Sequence, residues 1–378
     1  MSRIMFVCDS PVYWRSGIWF HRVNTPSEAL DKRGHGVKHI TLGKRGTQIS
    51  QDLVDWPDTV IFGRTYPDHL DPLSAMQQFK KAGKRILYDM DDDYWTVAKD
   101  NPSILMSSAH KDQYESLIRG ADALTTPSVT LAKKFKKLCK KPVFICPNGI
   151  NSEIYRERLN NHQGLIIGYM GAASHWKDLQ VVGEALVELY KKHDFMFVIY
   201  GVTAEPMDAA IYEYKKALAF HFAPEKEPYL KSAVDFFDNT LSKLKFHHIA
   251  FRPPEMHPIA LSGCDFDIGI APIVDTEFNH GKSCIKFYEY ASVGTVTVSS
   301  DVMPYSAEVN YRAQNTKKDW IKKLEKLIID EEFRKKTLKE QQDWVSKNRS
   351  LKAIGLEWEL AIQKPSLPGA PKVLNQQR

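Results

Sequence analysis

The sequence is poor in cysteine and opens without a long apolar run, and each shortage removes a class of protein. Its five cysteines, Cys8, Cys139, Cys146, Cys264 and Cys284, are odd in number and form no Cys-x-x-Cys pair. Neither a disulfide framework nor a zinc site is indicated, and the thiols read as reduced, mostly buried small apolar groups. The first residues carry only the apolar run Ile4-Met5-Phe6-Val7-Cys8 before Asp9, too short for the apolar region of a signal peptide and far short of a membrane span. A cytoplasmic protein is expected. A large excess of one sign of charge is lacking as well. A formal excess of +6 favours acidic partners such as sugar nucleotides, anionic lipid or nucleic acid without choosing among them.

What is present is enough chain for two cores, 378 residues of which 43% are hydrophobic. Short β-rich apolar runs alternate with longer segments of helical period, the mark of β-α units on a parallel sheet. The pattern occurs twice. Strands are expected at 4–8, 37–42, 59–63, 85–90, 123–126 and 143–146, then at 165–170, 195–200, 249–251, 267–272 and 295–299. Thr25-Pro26-Ser27-Glu28 predicts a helix start, with a capping hydroxyl, proline at the first helical position and a carboxylate three residues after the cap. After Pro147-Asn148-Gly149-Ile150, a polar stretch over 151–163 interrupts the alternation. The expected units are therefore 1–155 and 156–345, each Rossmann-like in an α/β fold. Residues 203–246 are longer than one crossover needs and are expected to form a two-helix excursion. Helix continues to about 363, and the Pro-rich polar end, 364–378, is expected to be disordered.

Gly281-Lys282-Ser283 follows an expected buried strand and leads into a helix carrying Ile285, Tyr288, Ala291 and Ser292. A small residue, a cation and a hydroxyl at a helix start suit an anion, because free N–H groups and the helix dipole both favour a phosphate there. Glu289, further in, can accept hydrogen bonds from vicinal ribose hydroxyls. Taken singly, Lys282, Lys286 and Glu289 also fit solvated helix-face charges. A second strand, small-residue loop and helix run from Ile167 through Gly171 to Leu179. There His175 and Lys177 stand where they can neutralise developing diphosphate charge.

The compound pattern decides between these readings. Asp275-Thr276-Glu277-Phe278-Asn279-His280-Gly281-Lys282-Ser283, then Lys286-Phe287-Tyr288-Glu289-Tyr290-Ala291 and Gly294, then Val296-Thr297-Val298-Ser299-Ser300-Asp301 and Pro304, resembles the donor-binding segment of glycosyltransferase family 4 and related retaining enzymes. The resemblance implies a GT-B fold, with an N-terminal acceptor unit, a C-terminal nucleotide-sugar unit, and a last helical segment (346–363) crossing back to the first. It implies that Glu289 holds the donor ribose and that Lys282, Ser283 and nearby backbone face the diphosphate. Lys177, or next His175, would assist the leaving group. Gly201, ending Phe197-Val198-Ile199-Tyr200-Gly201, would lie beside the base, with Arg252 of Arg252-Pro253-Pro254 at the base edge. Gly17 of Arg15-Ser16-Gly17 would face the phosphates across the cleft. Arg15, Arg22 and Arg64 would form an anion wall at that edge. One departure stands out: Gly281 occupies the place, eight residues before the ribose glutamate, where the family usually carries a second glutamate. The sugar contact is then absent or is supplied by Asn279, His280 or backbone amides.

Tyr88-Asp89-Met90-Asp91-Asp92-Asp93 gathers carboxylates at the carboxyl end of an expected strand, where open α/β sheets build their sites. A metal-binding Asp-x-Asp, a set of acceptors for sugar or acceptor hydroxyls, and a helix cap all fit. The cations of the second half weigh against the metal. The Tyr-Asp-x-Asp-Asp-Asp pattern resembles one that faces the cleft in such glycosyltransferases, which implies an acceptor-side or sugar-contacting role for Asp91 and Asp92, with Asp93 also fitting a helix cap. No metal and no cofactor beyond a UDP- or GDP-sugar donor is expected. The run Lys133-Lys134-Phe135-Lys136-Lys137-Leu138-Cys139-Lys140-Lys141 fits a solvated helix face, a contact with anionic membrane at the inner surface, or a contact with duplex DNA. Three functions follow: sugar transfer to a glycan or lipid-linked acceptor; sugar transfer to hydroxymethylated DNA bases, as in phage enzymes; and non-catalytic binding of sugar nucleotide or nucleic acid. The oligomeric state is not indicated.

Overall fold

The central apolar runs become strands because burial on both faces selects them, while the edge run Gly36–Thr41 is largely exposed. In the computed structural model the described residues are 1–8, 17–44, 46–63, 66, 70–97, 108–172, 175–202, 231–232, 235–236 and 238–363. Among them lie two six-stranded sheets, parallel throughout. The first contains β1 (Arg3–Cys8), β2 (Gly36–Thr41), β3 (Thr59–Phe62), β4 (Arg85–Asp89), β5 (Ala123–Thr126) and β6 (Val143–Ile145), in the order β2-β1-β3-β4-β5-β6. The second contains β7 (Ile166–Ala172), β8 (Met196–Val202), β9 (Phe246–Ile249), β10 (Ile268–Ala271), β11 (Val296–Ser300) and β12 (Arg312–Ala313), in the order β12-β11-β10-β7-β8-β9. Alternate residues feed opposite cores. Met5, Val7, Val60 and Phe62 pack on one face of the first sheet, and Ile4, Phe6, Ile61 and Leu87 on the other.

The strand order reverses between β1 and β3 in one sheet and between β7 and β10 in the other. Open α/β sheets bind ligands outside the carboxyl ends at such points. The two units are tied where the chain crosses between them. Ile150 N donates to Arg349 O at 2.7 Å, and Ile150 and Ser350 form an isolated parallel bridge. Glycine is required at 149 because a Cβ there would lie 2.6 Å from Ile354 Cδ1 and 2.8 Å from Arg349 O. After Ser350 the helix Leu351–Ile362 covers the first sheet, burying Leu351, Ile354, Trp358, Ala361 and Ile362 against Ile4, Phe6 and Leu87.

Several local expectations are corrected. Thr25 does not cap a helix, because a helical segment Gly17–Trp19 and a π-helical segment Phe20–Asn24 run directly into Thr25–Asp31. The Thr25 hydroxyl donates to Phe20 O at 2.9 Å, and Glu28 accepts from the side chains of Asn24 and Asn151. The strand expected at 249–251 lies earlier, because Phe246 pairs in register with Phe197 while Phe251 is exposed. β12 was not expected; it is a two-residue pairing of Arg312 and Ala313 with Ser299 and Ser300. The tail 364–378 and most of the 203–246 excursion lie outside the described residues.

Candidate functional site

The helix Ile285–Ser292 carries Phe287, Tyr288, Tyr290 and Ala291 into the second core, and the same rotation buries Glu289. A carboxylate only 3% exposed needs partners. Tyr155 Oη donates to Glu289 Oε1 at 2.8 Å and His257 Nε2 approaches the same oxygen at 3.0 Å. His21 Nε2 reaches it from the first unit at 3.6 Å. Burial alone would raise the Glu289 pKa, but His257, His21 and the Tyr155 hydroxyl outweigh it and hold the group at about 2. Burial likewise works against a charge on His257, yet the Glu289 carboxylate carries its pKa above the ordinary value. His21 goes the other way: burial lowers it to about 4 despite the attraction of Glu289. Near neutral pH the group is thus an anionic glutamate, a histidine biased toward the cation and a neutral histidine. The His257 ring stacks on Tyr200 at 5.4 Å and 14°, with Tyr200 Oη 3.1 Å from Nδ1.

Beside Glu289 lies a cationic corner. The helices Trp176–Tyr190 and Ile285–Ser292 begin at His175 and Cys284, and neither receives a side-chain cap. A helix start of this kind favours an anion through its dipole. Lys286 is half-buried there, and its pKa is lowered by burial and by Lys282, against the pull of Asp178 and Glu289. His175 is lowered by burial and by Lys286, although Nδ1 lies 2.7 Å from Asp178 Oδ2. Asp178 also accepts from Val274 N at 2.8 Å and Asn279 Nδ2 at 3.3 Å, which fixes the loop after β10 onto the start of the Trp176–Tyr190 helix. Cations that repel one another so closely are an arrangement suited to a multiply charged anion.

The first unit closes the other side. Lys282 Nζ lies 2.9 Å from Asp92 Oδ1 and over the Phe278 ring at 4.3 Å. Ser283 Oγ accepts from Asn148 Nδ2 at 2.9 Å. Ser128 Oγ donates to Gly281 O at 2.9 Å, and a Cβ on Gly281 would meet Leu131 Cδ2 at 2.9 Å. Gly281 is thus the point where helix Val129–Leu138 meets the loop that leads into helix Ile285–Ser292. Of the side chains suggested in place of a second glutamate, Asn279 bonds Val274 O and Asp178, and His280 pairs with Asp275 at 2.5 Å.

The remaining expected residues divide. Gly171 and Gly201 face each other across β7 and β8, where a Cβ on Gly201, at φ +97°, would lie 2.6 Å from Gly171 O. Lys177 is exposed on the helix that begins beside His175. Arg252 is exposed and holds the Tyr200 hydroxyl through its backbone. Gly17 is exposed at the start of the helical stretch that carries His21. Arg15 and Arg64 lie outside the described residues. Arg22 is no wall residue. It is 3% exposed and its Nε and Nη2 grip Asp89 at 2.9 and 2.6 Å while Nη1 reaches Cys146 O and Asn148 Oδ1.

The acidic cluster is neutralised by side-chain cations: Asp89 by Arg22, Asp92 by Lys282, and Asp93 by Lys134. Asp93 also accepts from Trp95 N at 3.2 Å, capping a turn rather than a helix. Asp91 is half-buried among these groups. Among the described residues no group of three or more His, Cys, Asp or Glu is arranged to hold a metal ion. The lysine run does not form one basic face. Lys134 points to Asp93 and Glu277, and Lys141 donates to the carbonyls of Arg119 and Ala121, leaving Lys133, Lys136, Lys137 and Lys140 exposed.

Sequence reasoning missed His21, His257, Tyr155, Asn148 and Asp178. His21 stood beside the arginine that was chosen, and His257 five residues beyond Arg252. No local spacing marks His21, His257, Tyr155 or Asn148, because their partners come from other elements, whereas Asp178 lies three residues after its partner His175.

No protein-family model and no curated protein matches this sequence. Solved structures do match. Anabaena Alr3699/HepE in complex with UDP and glucose is 11% identical, over 96% of this chain and 99% of that one, with a TM-score of 0.63. An alpha-glucosyltransferase in complex with UDP is 12% identical over 96% and 100%, with a TM-score of 0.62. A glycosyltransferase from Rickettsia africae is 15% identical over 97% and 99%, with a TM-score of 0.61. The chain has the GT-B fold. In GT-B terms, the Glu289 group and the cationic corner lie on the cleft side of the C-terminal sheet, and Asp92, His21 and Ser128 reach them from the N-terminal one. Among the described residues no helix is long and apolar enough to cross a membrane.

Proposed function

We propose that this chain is a glycosyltransferase that moves a sugar from a nucleoside-diphosphate donor, a UDP- or GDP-sugar, to an acceptor hydroxyl. The observation that carries the reading is the buried, anionic Glu289 beside Lys282 and Lys286 at an uncapped helix start. Glu289 takes the ribose hydroxyls, while the lysines, Ser283 and the start of helix Ile285–Ser292 take the diphosphate. The transfer is retaining. The bond from the anomeric carbon to the phosphate oxygen breaks, the acceptor oxygen bonds that carbon on the same face, and its proton passes to the departing phosphate. The charge that develops on the diphosphate is met by Lys282 and Lys286, with Lys177 and the His175 imidazole on the leaving-group side, and no metal is required. Asp91 and Asp92 face the acceptor. Gly171, Gly201 and Arg252 line the nucleotide, with Gly17 across the cleft.

The acceptor is a glycan or lipid-linked saccharide. A second reading is favoured by one comparison: an alpha-glucosyltransferase bound to UDP and a 13-mer DNA containing a HMU base shares this fold at a TM-score of 0.59 and 12% identity, over 96% of this chain and 99% of that one. Exposed Lys133, Lys136, Lys137 and Lys140 would then meet phosphates. Titrating duplex DNA against salt separates the two: binding that weakens steeply with salt supports the DNA acceptor, and no binding at low salt removes it. Sugar transfer itself is tested by slow donor hydrolysis with and without EDTA. Hydrolysis that survives EDTA and is lost in Lys282→Ala supports the reading. The absence of hydrolysis with any UDP- or GDP-sugar leaves a binding module, and loss with EDTA removes the metal-free mechanism.

A further inference from the structure

We infer that Asn148 is a positioning residue that fixes the direction of the Ser283 hydroxyl proton, so that Ser283 serves the bound anion only as a donor. The inference rests on reading the start of helix Ile285–Ser292 as a diphosphate site. A serine hydroxyl carries one proton and two lone pairs, and it helps an anion only when the proton points at it. Left to itself the hydroxyl rotates.

Here the rotation is decided from the other unit. Asp89, 3% exposed, accepts from Thr125 Oγ1 at 2.6 Å and from Arg22 Nη2 at 2.6 Å. That grip leaves Arg22 Nη1 directed to Cys146 O at 2.7 Å and to Asn148 Oδ1 at 2.8 Å. A guanidinium has no acceptor, so the Asn148 atom facing it is the carbonyl oxygen. The Asn148 atom facing Ser283 Oγ at 2.9 Å is then the amide nitrogen, which can only donate. Ser283 Oγ must accept, and its own proton is turned away from Asn148. Asn148 is 8% exposed, so water does not readily replace this partner. Each link is forced by the one before it, from the end of β4 to the donor loop. Because the series crosses from one sheet to the other, it is complete only while the two edges lie together.

The test is calorimetric titration of UDP and GDP, with uridine and guanosine as phosphate-free controls. It compares the full chain, Asn148→Asp, Ser283→Ala, Ser283→Thr and the double variant Asn148→Asp/Ser283→Ala. Melting temperature is read alongside to verify folding. Aspartate at 148 can only accept and takes the Ser283 proton for itself. Asn148→Asp and Ser283→Ala are each expected to weaken the diphosphate tenfold or more while nucleoside affinity stays within twofold. Ser283→Thr keeps wild-type affinity, and Asn148→Asp costs nothing further in the Ser283→Ala background. Diphosphate binding by Asn148→Asp within twofold of wild type overturns the inference. So does a loss that persists in the Ser283→Ala background, which would be charge repulsion, or an equal loss of nucleoside, which would be structural damage. If the unaltered chain binds neither UDP nor GDP, the diphosphate reading itself falls and takes this inference with it.

Discussion

The two sheet edges that face each other across the cleft solve one problem in opposite ways. On the N-terminal edge Asp89, Asp92 and Asp93 are each held by a lysine or arginine. On the C-terminal edge Glu289 is held by two histidines and a tyrosine. Guanidinium and ammonium groups keep their charge throughout the working range, whereas imidazole does not. The first edge is therefore a fixed frame and the second is adjustable, by pH and by any ligand that competes for Glu289. The difference also separates stability from binding. Arg22 is buried in protein, while in the proposed function Lys282 and Glu289 hold partners that a nucleotide would replace.

The largest expected effect falls on the fixed edge. Arg22→Met leaves Asp89 buried without its cation, and breaking such a pair costs about 3–5 kcal/mol. Denaturant unfolding should show that loss nearly equally at pH 6 and pH 8, and a strongly pH-dependent loss would erase the contrast between the edges. Next is the adjustable edge. His21, held at about 4 against an ordinary 6.5, contributes stability that is present above 6.5 and lost as pH falls toward 4. His257, raised by Glu289, contributes stability present below 6.5 and lost as pH rises through its folded value. Stability should therefore peak near pH 6.5. Replacing His21 by Gln should flatten the acid side by about 1–3 kcal/mol, and an unchanged acid limb in that variant would show that His21 does not titrate as described. The smallest effect is at the contact between edges. Asp92→Asn releases Lys282 from a partly exposed pair worth about 0.2–1 kcal/mol, so UDP or GDP should bind up to about fivefold more tightly by calorimetry. Weaker binding would mean that Asp92 helps to place Lys282 for the ligand.

The same contrast explains what was legible in the sequence. Strands such as Ile4-Met5-Phe6-Val7 and Val296-Thr297-Val298 declare themselves because burial on both faces demands continuous apolar runs. The grouping of Lys282, Ser283, Lys286 and Glu289 is legible because they sit on one loop and the helix it enters. Thr25 misled because the local capping pattern is overridden by the helical turns before it, whose carbonyl at Phe20 takes the threonine hydroxyl. Arg22 misled because charge suggests surface until Asp89 is seen beneath it. His21, Tyr155 and His257 were illegible for a physical reason. Each comes from a different element and acquires its role only when the fold brings it to Glu289.

Glu289 and the cationic corner are proposed as a nucleoside-diphosphate site, and a thermal-shift titration of UDP, GDP and their sugars against wild type and Glu289→Ala probes that site directly. The account predicts a concentration-dependent rise in Tm for wild type with UDP or GDP ligands, and in Glu289→Ala an affinity lower by about 10- to 100-fold, the loss of hydrogen bonds to a charged group. Wild type that no such nucleotide stabilises, or Glu289→Ala that is stabilised as strongly as wild type, would contradict it.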